Sequence, residues 1–178
     1  GYSLPASIGA SIANPKNNFI CIIGDGGLML CVGELATVAK QNLPIKIFVF
    51  NNHSHGIQKQ TLETWLDGRM VGVDSKSGVA FPKNWGNVAK SFGLKVVDIL
   101  DDNNMDLKLQ KVFKTKGPVF INVEINEDQK LHPFLKFGDP LENQSPKLKE
   151  EDLKKMMIVN SYQNKIIKNQ NDNGGQGW

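Results

Sequence analysis

The sequence predicts an α/β fold built as a doubly wound parallel sheet, and three observations carry that prediction. Residues 19–23 and 45–50 are apolar runs that stop abruptly, the first in Gly24-Asp25-Gly26-Gly27 and the second in Asn51-Asn52. Twenty-four residues lie between Gly26 and Asn51, room for one helix and two short loops, which is the βαβ arrangement of parallel strands. Strand-like runs at 95–99 and 119–125 alternate with helical patterns further along and extend the same unit. The first two runs are almost wholly apolar, as strands covered on both faces are.

Each element has a local reason. Residues 4–13 read as a helix of small residues, ended by Asn14-Pro15 because the residue before a proline avoids helical backbone. Its Ala, Ser and Gly residues suit close helix packing, and a partner chain is one candidate for the opposing surface. After the first strand and its Asp25 loop, residues 33–41 continue a helical segment, with Leu35, Val38 and Ala39 on one face. Glu34 reads as a carboxylate on the surface of that helix. Residues 58–66 read as helical, and the Gly-rich stretch 67–81 as a mobile loop near the strand ends. Pro82 precedes a helix at 85–92 that Gly93 ends, and a helix at 105–114 is closed by Gly117-Pro118.

From Asn126 the composition shifts. Residues 134–146 are punctuated by Pro and Gly and read as extended. Ser145-Pro146 suits the N-cap and first turn of a short helix running to Met157, with Leu153, Met156 and Met157 as its apolar stripe. Residues 160–178 are rich in Asn, Gln and Gly and read as disordered. The expected organisation is a binding domain over 1–126, an arm with a short helix over 127–159, and a tail over 160–178.

Composition narrows the function classes. The 178 residues are enough for one domain with a core; 40% are apolar and 22% charged, ordinary for a globular protein. The net charge is only +3, with no basic patch interleaved with aromatics, so nucleic acid is not an expected partner. The apolar runs are far shorter than a membrane span. Cys21 and Cys31 form no CxxC and read as buried reduced thiols, consistent with a cytoplasmic setting. The chain starts at Gly1 inside a helical pattern, so it is expected to be a fragment of a larger multidomain protein.

The paired strand ends suggest chemistry. Ligands of open parallel sheets bind beyond the carboxyl ends of the strands. Asp25 follows one strand and Asn52 the other, and neighbouring strands are roughly 5 Å apart. A carboxylate and an amide oxygen converging there suit Mg²⁺, which takes few protein ligands and completes its shell with phosphate and water. Gly26 and Gly27 let backbone approach a phosphate, and the helix that follows aims free N–H groups at the same place. The expectation is a Mg²⁺-bridged diphosphate. Other phosphate motifs fail: a G-x-G-x-x-G would need Gly at Met29, and no Gly-Lys-Ser/Thr occurs. The His53-x-His55 pair lacks the further ligands of a zinc site.

These residues also carry a family resemblance. Gly24-Asp25-Gly26, the spacing to Asn51-Asn52, Tyr2-Ser3-Leu4-Pro5-Ala6-Ser7-Ile8-Gly9-Ala10, Gly33-Glu34-Leu35-Ala36-Thr37 and Asn42-Leu43-Pro44-Ile45-Lys46 resemble thiamine diphosphate enzymes, most of all the acetolactate synthase large subunit. The resemblance covers residues 1–125 and implies the C-terminal, diphosphate-binding domain of that fold. It implies thiamine diphosphate and Mg²⁺ as cofactors, with Asp25, Asn52 and the main-chain oxygen of Ser54 on the metal. Gly24, Asp25, Gly26, Gly27, Asn52, His55, Gly56 and Ile57 would line the cofactor, Ile57 as the apolar prop that bends it.

The implied reaction is decarboxylation of a 2-oxo acid with carboligation. The activating glutamate would come from a pyrimidine-binding domain of a second subunit in a homodimer or homotetramer, so no catalytic residue is expected in this stretch and the fragment alone should be inactive. FAD is a possible ligand of a middle domain. Two positions depart from the acetolactate synthase pattern. Ser54 stands where Glu is common, and Thr61 stands where a Trp is usual, the nearest Trp being Trp65. The second departure keeps open a simple decarboxylase of the phosphonopyruvate or sulfopyruvate type, and a non-catalytic domain retaining the fold is the alternative from another class. The arm at 137–148 resembles tails of acetolactate synthase-like proteins from surface-polysaccharide gene clusters.

Overall fold

A computed structural model describes residues 1–159; the tail expected at 160–178 lies outside the described residues. The elements run α1 (Ser3–Ala13), β1 (Phe19–Gly24), α2 (Asp25–Met29), α3 (Glu34–Lys40), β2 (Ile45–Asn51), α4 (Gly56–Trp65), α5 (Trp85–Ser91), β3 (Lys95–Ile99), α6 (Met105–Lys114), β4 (Val119–Glu124) and α7 (Glu150–Met156). The chain divides into two compact units, Gly1–Lys130 and Leu131–Trp178.

In the first unit four strands form one sheet in the order β1-β2-β4-β3, and every pairing is parallel. The doubly wound α/β class therefore holds. Alternating side chains serve opposite faces. Cys21, Ile23, Ile45, Ile47, Val49 and Phe120 share one core with Leu4 and Ile8 of α1, Leu35 and Val38 of α3, and Trp85 and Ala89 of α5. Ile99, Val119 and Ile121 pack with Val112 of α6 on the other face, where the rings of Phe48 and Phe113 lie 6.3 Å apart.

The structure differs from the sequence expectation in several places. β1 is not covered on both faces: Ile20 and Ile22 are each 57% exposed, because β1 is an edge strand and α6 packs over the β3–β4 half of the sheet. The helix after the Asp25 loop is two helices. The first begins at Asp25 itself and the turn at 30–33 separates it from α3. Cys21 is buried, but Cys31 is only partly so, and both are free thiols.

Within the Gly-rich loop 67–81 the Asp74 carboxylate accepts the Ser77 N–H at 2.8 Å and its hydroxyl at 2.7 Å. Among the described residues no helix is long and apolar enough to cross a membrane.

In the second unit, Phe134 and Ser145 exchange main-chain hydrogen bonds of 2.9 and 2.8 Å. That pairing holds Ser145 extended, so it does not cap the short helix; α7 starts at Glu150 with Lys149 as its N-cap. Of the expected apolar stripe, Leu153 is buried while Met156 is 72% exposed.

Candidate functional site

Because Gly24 of β1 pairs with Phe50 of β2, the chain leaves both strands at the same level, at the carboxyl edge of the sheet. Asp25 takes the first position of α2, where a carboxylate suits the positive end of the peptide dipoles. It is 1% exposed. One carboxylate oxygen, Oδ1, accepts the Gly26 N–H at 2.8 Å. The other, Oδ2, is buried with no hydrogen-bond partner among the described residues. Burial raises the Asp25 carboxyl above its ordinary range, against the pull of the Gly26 and His53 backbone N–H groups and the two histidine rings. A buried acceptor left unpaired costs about 1–3 kcal/mol, and more when charged. Oδ2 thus has acceptor capacity that no group among the described residues uses.

The second loop closes over the first. His53 adopts a left-handed backbone with φ +52°, which turns the chain back toward Asp25. The Asn52 side-chain oxygen accepts the Ser54 N–H at 3.2 Å, the local bond that Asn favours in turns. Ser54 lies opposite Asp74 in an antiparallel bridge. The hydrogen bond of that bridge runs from His55 N–H to the Val73 carbonyl at 2.7 Å, so the Ser54 carbonyl is not its acceptor. The Ser54 hydroxyl is buried and has no partner among the described residues.

Two glycines are required by close approach. A Cβ on Gly26 would sit 2.4 Å from Nδ1 of His55, and one on Gly56 would sit 2.7 Å from Nδ2 of Asn52. His55 is wedged between Gly26 and Phe81, whose ring centroid lies 5.5 Å away. The structure therefore brings Asp25, Gly26, Asn52, Ser54, His55 and Gly56 together. Gly27 packs instead on Ile23, 3.3 Å from where its Cβ would be, and a Cβ on Gly24 would meet nothing within 4 Å among the described residues. Ile57 is 67% exposed at the start of α4, and no residue of that helix is buried. Among the described residues Ile57 is therefore not part of the buried core.

Three features near the site have no signature in the local sequence. Glu124, the last residue of β4, accepts from Asn51 Nδ2 at 3.0 Å through one oxygen and lies 2.8 Å from His53 Nε2 through the other. Lys59 of α4 reaches Asp128 at 2.8 Å, Glu127 at 3.7 Å and Asp74 at 3.9 Å. Lys130 pairs with Glu63 of the same helix. These contacts join residues up to 73 positions apart, so only the folded chain reveals them. His53 and His55 face different partners, Glu124 and Gly26, so they do not converge on one metal. Among the described residues no group of three or more His, Cys, Asp or Glu side chains could hold a metal. A cation here would meet one carboxylate, one amide and main-chain oxygen, a donor set that fits a hard ion completed by phosphate and water.

Comparison with known proteins agrees with this architecture. Residues 1–123 match the family model described as "Thiamine pyrophosphate enzyme, C-terminal TPP binding domain". The chain is 32% identical over 138 residues to the acetolactate synthase large subunit of Porphyra purpurea, covering 78% of this chain and 23% of that protein. It is 30% identical over 138 residues to the acetolactate synthase isozyme 1 large subunit of Escherichia coli (strain K12), covering 78% of this chain and 24% of that one. To the mitochondrial acetolactate synthase of Schizosaccharomyces pombe (strain 972 / ATCC 24843) it is 31% identical over 141 residues, 79% of this chain and 20% of the relative. The chain thus spans about a quarter or less of the length of these relatives. The matched region contains β1, both loops at the sheet edge and β2, and on that match the chain belongs to the thiamine pyrophosphate enzyme family, as its C-terminal TPP-binding domain.

Proposed function

We propose that this chain is the thiamine diphosphate- and Mg²⁺-holding part of an acetolactate synthase-like enzyme that decarboxylates 2-oxo acids and ligates the product to an acceptor. The observation that carries the reading is the buried, unpartnered Oδ2 of Asp25 at the sheet edge where β1 and β2 end side by side. Asp25, the Asn52 amide and the Ser54 main-chain oxygen would hold Mg²⁺. Gly24, Gly26, Gly27, His55 and Gly56 would line the diphosphate, and exposed Ile57 is available as an apolar prop. The cofactor supplies the carbon nucleophile and the electron sink; the protein anchors and orients it. His55, packed on Gly26, would shield one side of the anchor.

Activation of the cofactor needs a carboxyl group within about 3 Å of its aminopyrimidine, and this reading assigns that group to a pyrimidine-binding domain of a second subunit. The functional form is then a homo-oligomer. Two free thiols, one of them buried, support a cytoplasmic setting. Thr61, where acetolactate synthases carry Trp, favours a second reading in which the product is released without carboligation.

The test is isothermal titration of thiamine diphosphate into the full-length protein with and without Mg²⁺, beside the Asp25→Ala variant. Mg²⁺-dependent binding lost in the variant supports the anchor; wild-type affinity in Asp25→Ala removes it. Product analysis with pyruvate then separates carboligation from simple decarboxylation.

A further inference from the structure

We propose that Glu124 is a positioning residue for the metal and diphosphate anchor, acting through Asn51 and His53 on the Asn52 amide between them. The proposal rests on the reading of Asp25 and Asn52 given above.

β2 ends at Asn51 and β4 ends at Glu124, and these two residues are direct partners in the register of the sheet. The two oxygens of the Glu124 carboxylate go to different residues of one tripeptide. Oε2 accepts from Asn51 Nδ2 at 3.0 Å, and Oε1 lies 2.8 Å from His53 Nε2. The His53 contact fixes the tautomer: a bare nitrogen lone pair at that distance would repel the carboxylate, so Nε2 carries the hydrogen and donates it. Asn51 Nδ2, 3.3 Å from the same nitrogen, is then a neighbour and not a donor to it. The main chain adds a third tie, from the Ile125 N–H to the Asn51 carbonyl at 2.9 Å.

One carboxylate therefore grips the residues on both sides of Asn52. The grip has a purpose in the backbone. His53 sits at φ +52°, a left-handed region that strains a side-chain-bearing residue. In this conformation the His53 backbone N–H is among the groups that draw the Asp25 pKa down, and the Asn52 oxygen accepts the Ser54 N–H. A relaxed His53 would alter the turn in which the Asn52 oxygen accepts the Ser54 N–H. Glu124 itself is about one-third exposed, so the contribution argued here is direction rather than packing. Residues that orient metal ligands from behind typically change metal affinity 10- to 100-fold when removed.

The experiment measures the Mg²⁺ concentration for half-maximal thiamine diphosphate binding in the full-length protein, alongside the thermal midpoint of the metal-free protein. Glu124→Ala is expected to raise the Mg²⁺ requirement about tenfold while moving the metal-free midpoint little. Glu124→Gln keeps one acceptor oxygen and should recover part of the loss, and it carries the test if the alanine variant does not fold. His53→Ala should reproduce part of the Glu124→Ala loss, and the double variant should be no worse than Glu124→Ala alone, because the His53 contact is one of the two that Glu124 makes. An unchanged Mg²⁺ requirement in Glu124→Ala and Glu124→Gln, or multiplying effects in the double variant, overturns the proposal. Asp25→Ala is the reference. If it too binds normally, the anchor reading has failed and this proposal with it; if it loses Mg²⁺-dependent binding while the Glu124 variants keep theirs, only the positioning role has failed.

Discussion

Lys46 and Asp25 are both buried charges, placed at opposite ends of the same pair of strands, and the molecule treats them differently. Lys46 is the second residue of β2 and is 3% exposed. Its ammonium donates to the carbonyls of Thr115 and Gly117, each at 2.6 Å. Those carbonyls close the C-terminal end of α6, where a cation also meets the negative end of the peptide dipoles. Burial, and secondarily Lys95, lowers its pKa, but the charge has partners. Asp25 has a partner for one oxygen and none for the other among the described residues. The Lys46 charge is satisfied within the fold, whereas the Asp25 carboxyl leaves one acceptor unmet among the described residues.

Four outcomes test that contrast. The largest is at Asp25. Asp25→Ala should weaken Mg²⁺-dependent thiamine diphosphate binding by at least about a hundredfold, since only an amide and main-chain oxygen remain for a strongly hydrated ion. Isosteric Asp25→Asn should lose binding as well, yet raise the metal-free thermal midpoint, because it removes the unpaired buried charge. Titration calorimetry and a thermal scan of the same sample read both effects, and a lower midpoint in Asp25→Asn would contradict the contrast.

Lys46→Met should do the reverse. It leaves the Thr115 and Gly117 carbonyls without their donor, at a cost of about 1–3 kcal/mol, which lowers the midpoint by several degrees for a chain of this size. Cofactor affinity should be unaffected in the surviving folded protein. A loss of Mg²⁺ affinity in that variant would mean the two ends of the strands are not independent.

Ile57 tests the functional end without any charge. It is 67% exposed, so Ile57→Ala should change stability by no more than about 0.5 kcal/mol. If it props the cofactor, turnover should fall several-fold while affinity for the diphosphate holds, since misorientation costs rate before binding. Steady-state kinetics beside calorimetry distinguish the two, and an unchanged turnover number would make Ile57 a bystander.

The smallest effect is in pH. The folded carboxyl of Asp25 is raised above its unfolded value by burial, so folding favours its protonated form. Its destabilising contribution is present in full above the folded pKa and is relieved as pH falls through that value toward the unfolded one. The metal-free thermal midpoint should therefore include a component that improves on mild acidification and is absent from Asp25→Asn. Saturating Mg²⁺ should invert it, because the ion needs the ionised form. Parallel pH series for wild type and Asp25→Asn isolate the component from the other carboxylates, and identical slopes in the metal-free series would deny Asp25 its unmet charge.

Much of this architecture was legible along the chain. The two apolar runs, the glycine and asparagine stops and the spacing between them predict parallel neighbours, and β1 and β2 are neighbours in parallel register. The helices at 85–92 and 105–114 and the strand at 95–99 are likewise readable, because hydrophobic period, caps and breakers are local signals. The α7 start was misread for the same reason: Ser145-Pro146 has the local chemistry of a helix start, but main-chain bonds to Phe134 hold it extended. Local propensity yields when a distant segment offers the backbone a better partner.

The sequence by itself determined the order of elements, the residues placed at the two strand ends, and the requirement for small residues beside them. Tertiary structure alone decided what those residues meet. That one Asp25 oxygen is left over, that His55 fills the space above Gly26, that Ile20 and Ile22 of β1 stay half bare and that Glu124 grips both neighbours of Asn52 all depend on contacts across strands and loops. A one-dimensional pattern records which face a side chain takes. It does not record which remote group stands opposite, because that is set by sheet register and by which helix covers which strand.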